Sequence, residues 1–441
     1  MMPVVAPGET PATVTDRIAG IALSRPGTWW YLSFAVASML LLIGIGGVGW
    51  LFLHGVQVWG NDWPEVWGFP IINYVWWIGI ASGGTLISAL FFLTESKWRT
   101  SINRIAEAMT IFAAVCAGVY PIIHLGRPWF FYWLVPYPNT MTLWPQFRSP
   151  LLWDFIAITA YVISSVLFWL LGLIPDVASL RDRAQQRPAQ VFYGILALGF
   201  RGTGAQWRRY HRAYGVMAAV MAPLVVSVHS VVGLDFAGSA LPGWYSTQYP
   251  PFFVFGAALS GFGMVLMLLL PLRRILGLYP YITERHLDVL GRLLLLCSLG
   301  VAYCYTMDAF DAFYSDDKAV KVMFHARVFG EYGWIWWLTI GLNCLLPLTL
   351  WARSLRLRPV VLFMVGLGAF VGMWFERFGI VIAVPHRPQL PSAWGSYAPT
   401  LDDYAIFAGT VGLFSVGFLL FVRLLPVVSI AEMKQLVLGR T

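Results

Sequence analysis

The sequence predicts an all-α polytopic membrane protein of about ten transmembrane helices, and three observations carry that prediction. Of 441 residues, 59% are hydrophobic and only 11% charged, with a mean hydropathy of +0.70, well outside the soluble range. Ten apolar runs approach or exceed the roughly 20 residues that a helix needs to cross a bilayer core. They cover 29–53, 69–94, 104–124, 150–173, 213–234, 251–272, 289–307, 332–351, 359–383 and 403–425. Lys and Arg alternate with these runs: 22 of the 29 fall on the side that holds both chain ends, and seven on the other. Positive charge is retained on the cytoplasmic side, so both termini are expected there. The same bias accounts for the net charge of +8 without invoking nucleic acid.

The elements follow in order. Residues 1–28 are polar, with Pro, Gly and acidic residues before any apolar run, which argues against a cleaved signal peptide and makes 29–53 a peripheral membrane anchor. A first four-helix bundle is expected over 69–234. It includes a cytoplasmic loop at 174–212, whose apolar patch Val191–Phe200, flanked by Arg, should lie along the inner membrane surface. A second four-helix bundle is expected over 251–383, a second peripheral helix at 403–425 and a cytoplasmic tail at 426–441. The division rests on an internal echo. Phe69-Pro70 followed by Ser82-Gly83-Gly84 in the second span resembles Pro250-Pro251 followed by Ser260-Gly261-Phe262-Gly263 in the sixth. Small residues at that spacing also serve as ordinary helix-packing faces.

Cofactor chemistry is bounded by what the chain lacks in sequence. Its four cysteines, Cys116, Cys297, Cys304 and Cys344, sit in apolar stretches without a C-x-x-C pair or a haem-attachment motif, so no metal site, Fe–S cluster or c-type haem is expected in the chain itself. A b-type haem needs histidines on facing helices at one depth, and His124 with His229 is the only plausible pair.

Ionisable side chains inside a membrane span are costly unless paired, which makes each a functional candidate. In the third span Cys116, Tyr120 and His124 recur at i, i+4, i+8 on one helix face, ending at the outer surface in His124-Leu125-Gly126-Arg127-Pro128-Trp129. The fourth span opens with Ser149-Pro150-Leu151-Leu152-Trp153-Asp154, about one turn below the same surface. Antiparallel neighbours joined by one loop are expected to bring His124 and Asp154 together. An imidazole, a carboxylate and aromatic walls suit a hydroquinone, whose oxidation releases two electrons and two protons. The bland alternative is that the two residues cap helix ends. Further outer-side groups are His229 and Asp235, Asp308 and Asp311, Glu376 and Arg377, and His386 with Arg387. Glu376 and Arg377 should point about 100° apart and pair with different helices. Of these, Asp308, Glu376, Arg377 and His229 are candidates for a proton path.

Four stretches carry a family resemblance. They are Asn73–Ile80, Ala106–Ala113, His124–Trp129 and Trp144–Asp154. Together they resemble the NrfD-like membrane subunits, most closely the ActC subunits of bacterial alternative complex III, densely from about 65 to 185 and more loosely beyond. The resemblance implies two four-helix bundles with two flanking helices and a menaquinol site near the periplasmic face. There His124 and Asp154 would take protons, while Arg127, Tyr120, Trp129, His386 and Arg387 would bind the ring. Implied partners are an ActB-like Fe–S subunit, multihaem and monohaem cytochromes c and an ActF-like membrane subunit; haem and Fe–S clusters would reside in these. One departure stands out: Ser82 occupies a position where many ActC sequences carry a histidine.

The expected function is therefore that of a quinol-binding subunit of a quinol-oxidising electron-transfer complex, with proton translocation as an added possibility. The alternative is the quinone-reactive anchor of a molybdoenzyme of the polysulfide reductase type. A secondary transporter is a third reading from another class, which the outer-face clustering of ionisable groups disfavours.

Overall fold

The computed structural model describes residues 3–134, 147–387 and 390–439. Trp144, Pro145 and Gln146 of the fourth resemblance stretch lie outside the described residues. The chain is 78% helix, without strands among the described residues, and it contains ten helices long and apolar enough to cross a membrane. In order these spans are Thr28–His54, Gly68–Leu93, Asn103–His124, Pro150–Arg183, Gly204–Ala237, Tyr249–Ile275, Glu284–Tyr314, Gly333–Trp351, Pro359–Val381 and Leu401–Leu424. The end of the molecule bearing both termini and the Arg-rich connections is called inner, and the opposite end outer.

The fourth and fifth spans run past the expected limits of their apolar runs. At 34 residues each they reach about 51 Å, against a bilayer core of about 30 Å. Backbone i to i+4 hydrogen bonds persist wherever the residues favour helix, and Asp176–Arg183 does so regardless of polarity. The loop expected at 174–212 is thus largely helix. Between the two spans, Arg187–Leu196 forms a short helix with Val191, Phe192 and Ile195 exposed, while the Tyr193 hydroxyl donates to the Leu424 carbonyl at 3.0 Å. The fifth span starts at a capping box, in which Thr203 Oγ1 accepts from the Gln206 N–H.

Spans two to five pack as one bundle and spans six to nine as another, joined by contacts of the second span with the sixth and ninth and of the fifth with the sixth. Spans one and ten pair with each other, and the tenth lies against the third and second. Burial follows this plan. The second and sixth spans are each 78% buried, the first only 22%. Lipid supplies no hydrophobic drive between helices, so close approach depends on small residues. A Cβ built at Gly83 would lie 2.4 Å from the Gly261 Cα, and one at Gly44 would lie 2.2 Å from the Gly409 Cα. The two echoing segments therefore meet each other at their equivalent glycines, at the centre of the molecule.

Candidate functional site

At the outer end of the first bundle three helices each contribute one polar group. Tyr74 of the second span donates its hydroxyl to the Asp154 carboxylate of the fourth, and Asp235 of the fifth span lies beside Asp154. Asp154 is 6% exposed, and Oδ1 of each aspartate lacks a hydrogen-bond partner. A buried phenol and two adjacent carboxyls form a set that can accept a proton and pass it on. Directly outward, Phe236 packs against Trp67 and Trp244, whose rings stack at 5.5 Å. These tryptophans line a hollow of about 650 Å³ of empty space with Trp63, Leu241, Val381 and Pro385. Trp67 precedes Tyr74 by two helical turns, about 10 Å. The hollow lies outward of the carboxyl pair, and neither aspartate lines it.

The expected His124–Asp154 pair does not form. The face bearing Cys116 and Tyr120 turns toward the tenth span, where Cys116 Sγ lies 3.3 Å from the Thr410 carbonyl and the Tyr120 hydroxyl lies 2.9 Å from Thr410 Oγ1. One turn on, His124 follows the same face and stacks on Trp59 with ring centroids 5.8 Å apart. A helix face cannot address two neighbours at once, so Asp154 takes its partners from the second and fifth spans instead. Tyr120 accordingly serves a helix–helix contact, and Arg127 and Trp129 sit exposed at the surface beyond it.

His229 is deeper than expected. Its Nδ1 lies 2.9 Å from Ser82 Oγ, 14 residues into the second span, and its Nε2 has no partner. The histidine that the resemblance leads one to expect at position 82 is thus replaced by a serine that meets a histidine from the fifth span. The ring of His124 stacks on Trp59, whereas that of His229 meets the second span. Below it Thr85 meets the Tyr161 hydroxyl at 2.7 Å.

The remaining candidates belong to the second bundle. Asp308 pairs with Arg327. Glu376 and Arg377, expected to face different helices, instead touch each other at 2.9 Å, while Arg377 also covers the Phe253 ring at 4.1 Å. The long guanidinium stem spans the angle between adjacent positions. His386 is fully buried, with Nδ1 2.9 Å from the Ala383 carbonyl and its ring against Tyr332. Burial lowers its tendency to protonate, leaving a neutral imidazole. Arg387 lies over the Trp394 ring at 5.2 Å.

Sequence reasoning missed two features. Asp235 is legible as an outer-side acid, but not as the neighbour of Asp154. The inner end of the first bundle reads as loop charge, yet fully buried Arg104 bonds Asp176 at 2.9 Å and Glu107 at 2.7 Å, and the Tyr214 hydroxyl donates to Glu107. The i, i+3 spacing of Arg104 and Glu107 was the available signal. Among the described residues no group of three or more His, Cys, Asp or Glu gathers that could hold a metal ion.

The ten apolar helices define a polytopic membrane subunit. The chain belongs to the family described as polysulphide reductase, NrfD, whose model matches residues 57–388. It is 27% identical over 425 residues to a putative dimethyl sulfoxide reductase membrane subunit of Halobacterium salinarum, covering 90% of this chain and 91% of that protein. It is 24% identical over 417 residues to a selenate reductase subunit of Mesobacillus selenatarsenatis, covering 90% and 94%.

Proposed function

We propose that this chain is the quinone-reactive membrane subunit of a reductase complex of the molybdoenzyme type, oxidising a quinol at the outer end of its first bundle. The observation that carries this reading is the buried Tyr74, Asp154 and Asp235 set beneath the Trp67–Trp244 hollow. Oxidation of a quinol to the quinone releases two protons and two electrons. The carboxyls accept protons from the ring hydroxyls, and the electrons pass to an iron–sulfur partner and on to a catalytic partner that reduces the terminal substrate. Menaquinol is the expected form of the quinol. Both termini are assigned to the cytoplasmic side on the strength of the positive-charge bias.

The relatives named for dimethyl sulfoxide and selenate reductases support this assembly over one of the alternative complex III type. The ActB-like subunit, the cytochromes c and the ActF-like subunit accordingly leave the proposed partner set. His124, with its ring on Trp59, is not retained as the partner base. Mass spectrometry and a visible redox spectrum of the gently solubilised native complex test the reading. An iron–sulfur subunit and a pterin-binding subunit are expected to copurify with quinol-oxidising activity. Multihaem cytochromes in their place would restore the ActC-type assignment.

A further inference from the structure

Where spans six to nine converge with the connecting helix Lys318–Phe329, the second bundle lines a partly open pocket of about 540 Å³, counting the solvent-open space at its mouth. Its walls include Phe252, Tyr305 and Trp336, packed in series with ring centroids 5.4 Å apart at each step. Three polar groups face the same space. Glu376 is 5% exposed, and neither carboxylate oxygen has a hydrogen bond, although Arg377 touches one of them. The Thr339 hydroxyl is 2% exposed and has no partner. Arg327 is engaged by Asp308, yet its Nε–H is buried and unpaired. A buried polar group without a partner is unfavourable, so a donor, an acceptor and a hydroxyl left open around one aromatic-walled space mark a place prepared for a molecule that completes them.

We propose that this cavity is a second binding site for a quinone-class ring, separate from the Asp154 site. The ring lies between the aromatic side chains. Arg327 Nε–H donates to one ring oxygen, Glu376 accepts from a ring hydroxyl in the reduced form, and Thr339 does either. An acyl chain would leave all three groups unsatisfied, and water would gain little from the aromatic walls. The site binds, and no electron step is assigned to it. It shares a ligand class with the first-bundle reading but no residue, so the two stand or fall separately.

The test uses the full chain in nanodiscs of quinone-free phosphatidylcholine. A photoreactive azido-naphthoquinone is crosslinked with and without menadione as competitor, and the adducts are mapped by peptide mass spectrometry. Adducts are expected on the peptides carrying Tyr305 and Trp336, protected by menadione. Gly379 lines the cavity, and a Cβ there meets nothing within 4 Å, so Gly379→Leu fills the space without a backbone clash. It should abolish these adducts while those near Tyr74 and Trp244 persist. In the same assay run anaerobically with menadiol, the reduced competitor, Glu376→Gln should raise the concentration for half-protection roughly tenfold. Absence of second-bundle adducts, their persistence in Gly379→Leu, or labelling that menadione does not displace would overturn the proposal. Second-bundle adducts without any near Trp244 would uphold it and sink the first-bundle reading.

Discussion

The inner ends of the two bundles are closed alike and their outer ends differ. Arg104 locks the first bundle through Asp176 and Glu107, and Arg356 locks the second through Asp288 at 2.7 Å. Each arginine is at most 7% exposed. At the outer ends the first bundle gathers two carboxyls and a phenol, whereas the second pairs its acids with guanidiniums, Asp308 with Arg327 and Glu376 with Arg377. A carboxylate held by a guanidinium keeps its charge balanced in place. One held by a phenol and another carboxyl is arranged to gain and lose a proton. The two bundles thus share a structural closure at the inner end and differ in chemistry at the outer end.

The comparison breaks first at the proton acceptor. Asp154→Asn keeps size and removes the base, and quinol oxidation by the assembled complex should fall by about 10²- to 10⁴-fold while the same partners still copurify. Turnover near the wild-type rate would remove the distinction between the outer ends.

Next in size is the inner closure. Arg104→Met leaves Asp176 and Glu107 buried without their cation and should cost about 3–5 kcal/mol. Arg356→Met removes the partner of a single carboxylate that Arg292 also contacts at 2.7 Å, so it should cost less. Thermal unfolding in detergent ranks the two, and equal losses would show that the closures are not set by their carboxylate count.

The central crossing has a smaller effect. Gly83→Ala forces a methyl against the Gly261 backbone and should destabilise by about 1–3 kcal/mol, whereas Gly118→Ala, which meets nothing within 4 Å, should be nearly silent. A silent Gly83→Ala in the same melts would mean that the bundles do not rely on that contact.

The smallest effect is a pH dependence. The folded state of His386 resists protonation, while the unfolded chain titrates near 6.5, so the unfolded state binds more protons below that value and stability declines as pH falls through it. His386→Gln should flatten the drop in melting temperature between about pH 6.5 and 5. An unchanged slope would assign the acid sensitivity elsewhere.

Much of this was legible in the residues. The apolar runs located all ten spans, because the length of a membrane helix is set by the bilayer rather than by its neighbours. Asp154 was visible as a carboxylate just inside a span. Its partners were not, since Tyr74 lies 80 residues before it and Asp235 lies 81 after it, with no spacing rule linking them. The stacking of His124 on Trp59 was not legible, because i, i+4 periodicity shows that residues share a face without showing which neighbour that face meets. The long fourth span hid Asp176, as hydropathy ends where apolarity ends while helical hydrogen bonding continues.

The sequence by itself determined the number of crossings, their alternation and the bias of positive charge, because these follow from the cost of moving backbone and charge into hydrocarbon. The echo of Ser-Gly-Gly with Ser-Gly-Phe-Gly marked two segments of similar sequence. Only the tertiary structure decided that these segments cross each other at Gly83 and Gly261, that Asp154 meets Tyr74 and Asp235, and that Glu376 faces a cavity. Those outcomes depend on the rotation of each helix about its axis. That rotation is set by small-residue contacts and side-chain packing among distant segments, which no local pattern encodes.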